Sequence, residues 1–480
     1  MTDTSELVGA EEHRLRAGAL SLFDSVIMAV AGVAPAYSIA ASTAALFGAV
    51  ALGGAASLLY CGIAMFGIVF AFNYLGRHET NAGASYSWVR RALHPALGYL
   101  SGWALVVSAL IFMVAATVPA GANILGLFSN SAATSVGAVT LVGSIFFLLM
   151  VGAVAAGVTI TVSVQVVMSS IEIVILLLFM ILAIAHGHHV TTFSWHWFAP
   201  SIFHGSSGFF AGALIAAFYY WGWDVTANLN EETRGAKRTP GIGGIIGVVV
   251  VFALFEVFTI ATNLVLTPGQ IQNNSADVLA VLGQAVWHGT GGKVIVIAVV
   301  LSTVATLETT LIQVTRTMFA MGRDHTLPKI LGTVHRHRQT PLVATAVVTV
   351  LSLGLFIGSQ FVGSISSILS DAINAIGLQI AIYYGLAGFA VVILYRRQLF
   401  RSLSNFVFMG LWPLVGAIFM VAMFVKSIPN LNATTLWVGL GAMALGLIPM
   451  TIYWAKGNPY FALPSREDRH AVIEEFEVNL

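Results

Sequence analysis

Charge is what this sequence has least of. Only 9% of its 480 residues are charged and 58% are hydrophobic, whereas an ordinary soluble domain carries about 25% charge and roughly 45–50% apolar residues. A soluble chain of this length could not cover its surface with so few charges. That excludes a cytosolic enzyme and a disordered protein. A nucleic-acid binder would need a basic excess that a net charge of +1 does not supply. The single cysteine, Cys61, excludes a disulfide framework, a Cys-ligated zinc site and an iron–sulfur cluster. No GxxxxGK[ST] phosphate loop is present, which argues against a primary pump. No cleavable leader is read at the start, because the first apolar run is about 30 residues long and a signal core is roughly 7–15. All 13 histidines fall outside the apolar runs, so a haem with axial histidines inside the bilayer is not expected. No cofactor and no resident metal is called for.

What the sequence does have is long hydrophobic runs. A spanning helix needs about 20 mostly apolar residues. Twelve stretches qualify, numbered here helix 1 to helix 12: 19–48, 52–75, 97–126, 134–156, 158–185, 206–230, 242–266, 294–318, 342–360, 367–394, 403–427 and 434–455. The runs are continuous and not the ten-residue alternations of a barrel. The fold class is therefore an all-α polytopic membrane protein. With the first 17 residues cytoplasmic, 19 of the 21 Lys and Arg fall on the cytoplasmic side, and only Lys293 and Lys426 fall on the other. Positive charge marks the cytoplasmic side, so both termini are expected there, in the plasma membrane. Short tails, 1–17 and 457–480, then flank one membrane domain, 18–456. The C-terminal tail is acidic, with Glu474, Glu475 and Glu477. The outer loop after helix 5 holds His186, His188, His189, His196 and His204. Phe193, Trp195, Trp197 and Phe198 beside them read as an interfacial aromatic belt and not as a metal site.

Polar groups inside a bilayer are expensive and need a reason. Six acids lie in or near the spans: Asp24, Glu172, Asp224, Glu256, Glu308 and Asp371. Asp24 and Asp371 lie near helix ends. Thr161, Gln165, Ser169 and Glu172 recur at helical spacing and share one face of helix 5. Ser302, Thr306, Thr309 and Gln313 do the same on helix 8, with Thr303 and Thr310 beside them and Glu308 about 120° away. Glu256, Thr259 and Asn263 form a shorter stripe on helix 7. Such faces point into a bundle, either to bond neighbouring helices or to hold a cation or a proton. No Lys or Arg lies at the depth of Glu172, so Glu172 either carries a proton or binds sodium with oxygens such as those of Thr306 and Thr309.

Two helices carry internal interruptions. Helix 1 reads AVAGVAPAYSIAAS at 29–42, and helix 6 reads AAFYYWGWDVTANL at 216–229. Pro35 removes a backbone donor and clashes one turn back, and Gly32 weakens the helix. Unwound backbone at membrane depth is tolerated only where protein or a watery cavity receives it. Each interruption opens a candidate five-helix unit, helices 1–5 (about 18–185) and 6–10 (about 206–395), with helices 11 and 12 (403–455) as extras. Interruptions at matching positions of two halves point to a transporter's binding site. The expected substrate-binding residues at the two breaks are Gly32, Val33, Ala34, Pro35 and Ala36 with Trp221, Gly222 and Asp224. The expected coupling residues are Glu172, Thr306 and Thr309.

Three segments carry a resemblance: ETNAGASYSWVRRALHPALGYLSGW at 79–103, AFYYWGWDVTANLNEETRGAKRTPG at 217–241, and VTRTMFAMGRDHTLPKILGTVHRHRQTP at 314–341. At these intervals the chain resembles the amino acid–polyamine–organocation superfamily of permeases over about 20–456. The resemblance implies the leucine-transporter fold, with two inverted five-helix repeats plus two helices. It implies alternating access and a substrate site at the two breaks. By that likeness Phe218 matches the aromatic closing over substrate, Gly222 the glycine of the break, Asp224 the acid beyond it, and Thr310 the point where helix 8 borders the site. Two departures stand out. Ala34-Pro35-Ala36 replaces the family's Gly-Ser-Gly type break, whose amides receive a substrate carboxylate. Glu172 stands where some proton-coupled members carry a lysine. The expected function is secondary active import of an amino acid or related amine, proton-coupled. The alternatives are a polyamine or organic cation importer, a sodium-coupled or exchange permease, and a non-transporting receptor. A membrane enzyme is disfavoured by the lack of intramembrane histidine and paired metal ligands.

Overall fold

The computed structural model describes residues 14–274, 277–359, 361 and 365–463. The tail residues 1–13 and 464–480, with Arg466, Arg469, Glu474, Glu475 and Glu477, lie outside them. Among the described residues the fold is helical, with one isolated bridge between Leu20 and Thr233. Ten segments among the described residues are long and apolar enough to cross a membrane by length and composition. The first of these, Leu22–His78, contains helices 1 and 2 together, and helix 6 drops out of the count because it is broken. Resolved this way, every one of the twelve expected helices has its counterpart.

Helix 1 runs as Leu22–Val33 and Pro35–Val50, helix 2 as Gly54–His78 and helix 3 as Pro95–Phe128. Helices 4 and 5 are Val136–Ala156 and Val158–His186. Helix 6 is Gly205–Tyr219 followed by Val225–Asn228. Helices 7 to 10 are Thr239–Val265, Val294–Arg323, Leu342–Ser359 and Ile365–Leu394. Helices 11 and 12 lie within Leu403–Asn430 and Ala433–Ala455. Helix 1 starts where it does because Ser21 and Asp24 form a capping box, which gives Asp24 a local role. Asp371 on helix 10 accepts from Asn432 Nδ2 at 2.7 Å and Thr435 Oγ1 at 3.0 Å, which ties helix 10 to the start of helix 12.

Between helices 7 and 8 lie two short helices that the apolar runs do not announce, Pro268–Gln272 and Val278–Val286. Their signals are local. Thr267 and Gln270 form a capping box ahead of Pro268, and Asp277 caps the second helix through the Ala280 amide at 2.9 Å.

Helix 10 packs against helices 3 and 11, helix 7 against 1 and 2, and helix 8 against 3 and 5. Helix 5 shows how the bilayer sorts its residues. Thr161, Gln165, Ser169 and Glu172 are fully buried, while Val167, Val174 and Ile181 are more than half exposed on the outer flank. That division is what an apolar solvent imposes on a helix with one polar stripe.

The loops at the basic face come together. The Leu20 amide donates to the Glu232 carbonyl at 3.1 Å, and the Arg234 amide donates back to the Leu20 carbonyl at 2.8 Å. Glu231 accepts from the Ala82 amide at 2.8 Å and pairs with Arg323 at 3.0 Å. Beneath this layer Arg316 and Glu232 make a two-pronged ion pair at 3.0 and 3.1 Å, with both side chains excluded from solvent. Counting charge by sequence places Arg316 at a wet helix end, whereas the fold buries it between helix 8 and the exit of helix 6. Removing one partner of a buried pair strands the other charge, at a cost of about 3–5 kcal/mol. Glu232→Gln is therefore expected to lower the melting temperature of the purified protein sharply. Joint replacement of Glu232 and Arg316 by Met should recover most of the loss. Unaltered melting in the single variant would show that the pair contributes nothing.

Candidate functional site

The break in helix 1 is one residue wide. The first half ends at Val33, Ala34 adopts a left-handed conformation with φ 51°, and Pro35 restarts the helix at its first position. Proline suits that position because its missing N–H would have had no helical acceptor. The Ala34 amide closes the first half on the Val30 carbonyl at 2.9 Å. Two carbonyls that the break leaves over are taken by hydroxyls: Gly32 O by Thr306 Oγ1 at 2.9 Å and Val33 O by Ser38 Oγ at 2.7 Å.

The amides of the second half are also engaged. Ala36 N–H donates to Glu172 Oε1 at 2.9 Å, and Tyr37 N–H donates to Ser302 Oγ at 3.1 Å. Ser302 in turn donates to the same Glu172 oxygen at 2.7 Å. A break of this kind is expected to offer bare N–H groups to an anion. Here helices 5 and 8 supply the acceptors from within the protein.

Helix 6 breaks over Tyr220–Asp224. Gly222 has φ 107°, a region that side-chain-bearing residues rarely enter. The two breaks touch backbone to backbone. A Cβ on Gly222 would overlap the Gly32 carbonyl oxygen, and a Cβ on Gly32 would overlap that of Gly222. Glycine at both positions is what lets these chains meet.

Aromatic rings wall the junction. Phe112 of helix 3 lies 5.3 Å from Trp221, 5.6 Å from Tyr37 and 6.1 Å from Phe218, ring centre to ring centre. Phe218 is thus buried inside the bundle and not turned to lipid. Asp224 is fully buried, accepting from Tyr383 OH at 3.0 Å and Tyr384 OH at 2.8 Å. Trp221 Nε1 donates to Tyr383 OH at 2.6 Å, which extends the network across the break.

The structure thus gathers Gly32, Val33, Ala34, Pro35, Ala36, Glu172 and Thr306 at one junction with Gly222, and sets Phe218, Trp221 and Asp224 around it. Thr309 turns its hydroxyl back on its own helix, to the Ala305 and Thr306 carbonyls at 3.1 Å each. Thr310 is buried beside it on helix 8. Glu308 faces the same helix 5 stripe as Ser302 does, although its angle on helix 8 points elsewhere. Gln165 reaches it by a long flexible side chain, donating to its carboxylate and, at 3.0 Å, to the Ala305 carbonyl. Both carboxylate oxygens of Glu256 are buried without a partner among the described residues.

Sequence reading missed Tyr383 and Tyr384, although two adjacent phenols in an apolar run were the available signal. It also missed that Ser302 would share a carboxylate with the helix 1 break. Among the described residues, no group of three or more His, Cys, Asp or Glu is placed to hold a metal ion.

Comparison with known proteins adds a family. The profile of the family described as "Amino acid permease" matches residues 20–448. The branched-chain amino acid permease BcaP of Bacillus subtilis is 30% identical over 157 residues, covering 33% of this chain and 33% of that protein. The serine/threonine exchanger SteT of the same organism is 24% identical over 253 residues, 51% of this chain and 54% of SteT. Its methylthioribose transporter is 24% identical over 435 residues, 87% of each chain. The matches to BcaP and SteT thus span a third and about half of those relatives' lengths.

Proposed function

Since the chain belongs to the amino acid permease family, we propose that it imports an amino acid or related amine across the plasma membrane by secondary active transport, with a proton as the driving ion. The observation that carries this reading is the backbone contact between the broken helices at Gly32 and Gly222, ringed by Phe112, Phe218 and Trp221. Broken helices that meet at mid-membrane supply half-helix ends for a small charged ligand. Phe218 is the lid of that site, shielding it from water on the face opposite the basic loops. The inverted repeat is part of the same proposal. Helices 2 and 7 pack together, as do 3 and 8, the pairing that a two-fold relation between 1–5 and 6–10 produces. Both termini lie in the cytoplasm on this reading, by the distribution of basic residues.

The experiment is uptake of radiolabelled amino acids and polyamines into proteoliposomes, repeated under proton and under sodium gradients. Concentrative uptake of an amino acid driven by acid outside supports the reading. Polyamine uptake alone makes the chain an organic cation importer, and sodium-driven uptake changes the ion. Binding without counterflow leaves a receptor.

Asp224 has a defined place in this proposal. Its carboxylate is held by two tyrosines of helix 10, so it fixes helix 6 beyond the break instead of pairing with a substrate amine. Asp224→Asn should lower the uptake rate several-fold, because a buried acceptor of two hydroxyls is lost at roughly 1–3 kcal/mol. The ranking of competing inhibitors should stay as it is in the parent protein. A ranking that shifts from amines towards acidic amino acids would assign Asp224 to the substrate.

A further inference from the structure

The amide end of the second half of helix 1 is already taken by an anion of the protein itself. Pro35 has no N–H, Ala36 N–H is spent on Glu172 Oε1, and Tyr37 N–H is spent on Ser302, whose hydroxyl donates to the same oxygen. The donors of a sixteen-residue half-helix thus converge on one atom of helix 5. Among the described residues the other oxygen, Oε2, is buried with no hydrogen-bond partner, and so is the Tyr37 hydroxyl.

We propose that Glu172 is a built-in competitor for the carboxylate of the transported amino acid. Ionised, it fills the amide end of the broken helix; protonated, it yields that end to the substrate. This rests on the reading of the chain as an amino acid importer and says how its proton and substrate are coupled. Charge-assisted hydrogen bonds are about twice as strong as neutral ones, so neutralising Glu172 weakens its hold on the Ala36 amide. Two carboxylates at one helix N-terminus repel each other, so the ionised form excludes the substrate's. The proton goes to Oε2, the oxygen without a partner. One proton is then bound per carboxylate bound, and a zwitterion crosses with a net charge of +1.

The elements packed on helix 5 carry few other titratable or charged groups. They are Asp24 and Tyr37 on helix 1, Glu256 on helix 7, Asp277 ahead of the Val278–Val286 helix, and Lys293, Glu308, Arg316 and Arg323 along helix 8. Tyr37 meets Ser302, and through it Glu172, by its backbone amide and not by its phenol, and Glu308 joins the same stripe through Gln165.

The test compares amino acids with their own carboxamides on the full-length protein in nanodiscs, using leucine with leucinamide and serine with serinamide. Displacement binding is measured over roughly pH 5.5 to 7, below the titration of the α-amino group. Whichever amino acid binds should gain affinity on acidification, up to about tenfold per pH unit, the limit for one linked proton. Its carboxamide should change less than about twofold over the same range. In Glu172→Gln, which mimics the neutral acid, the amino acid should bind with a pH-independent affinity near the acid limit of the parent. The parent's own amino acid/amide contrast decides the matter if that variant fails to fold. A parent affinity for amino acids that ignores pH overturns the proposal, as does an amide that outbinds its acid at every pH. In the latter case Glu172 is a permanent cap. Failure of any amino acid to bind or be taken up overturns the import reading itself, and is recognised because no affinity then exists to titrate.

Discussion

Leucine in place of Gly222 is expected to abolish substrate binding and transport while the protein still reaches the membrane. Two effects add. The backbone at φ 107° is open to glycine and strained for any other residue, at about 1–3 kcal/mol. The added side chain must also occupy the space of the Gly32 carbonyl, which is backbone and cannot rotate away. The only relief is separation of the two breaks, which pulls Gly32 O from Thr306 and displaces the amides that meet Glu172 and Ser302. Gly32→Leu collides with the Gly222 carbonyl from the other side and should fail in the same way, without the φ penalty. Gly152→Leu is the control, since nothing lies within 4 Å of a Cβ there. Ligand binding to purified variants, normalised to folded protein, makes the comparison. Full uptake by Gly222→Leu at normal abundance would remove the junction from the mechanism.

Much of this arrangement is legible in the residues, and the part that is not has a common cause. The stripes on helices 5 and 8 are readable because lipid offers a polar side chain nowhere to go but inward. The interruptions of helices 1 and 6 are readable because proline and glycine act on their own backbone, whatever surrounds them. Which group each polar atom meets is a different matter. Glu172 meets an amide 136 positions away in the chain, and the hydroxyl that shares its oxygen comes from a third helix. Nothing local to Ala34-Pro35-Ala36 announces that its amides are filled from within. Arg316 misleads for a related reason: it lies at the end of an apolar run and reads as a helix end, but its counter-ion arrives from the exit of helix 6. Glu308 shows the limit of angular reasoning, since a long partner such as Gln165 can reach around a helix.

Glu172→Gln is expected to abolish proton-driven accumulation and to spare exchange of substrate for substrate. A one-unit pH gradient is worth about 1.4 kcal/mol per proton, or tenfold in substrate. A membrane potential adds about 2.3 kcal/mol per 100 mV when the complex carries net charge. The parent protein should therefore concentrate substrate about tenfold under the pH gradient alone. The variant has no carboxyl group at the helix 1 break to take up and release a proton, so its accumulation ratio should fall to about one. Exchange requires only that the loaded carrier reorient, and glutamine keeps both a carbonyl for the Ala36 amide and the side-chain length, so exchange should proceed at a comparable rate. Thr306 stays in place and continues to hold Gly32, which keeps the break itself intact. Accumulation driven by sodium at fixed pH, and lost in the same variant, would make Glu172 a sodium ligand. Proton-driven accumulation that survives the substitution unchanged would move coupling to another buried acid, with Glu308 and Glu256 the remaining groups of that chemistry on helices 8 and 7.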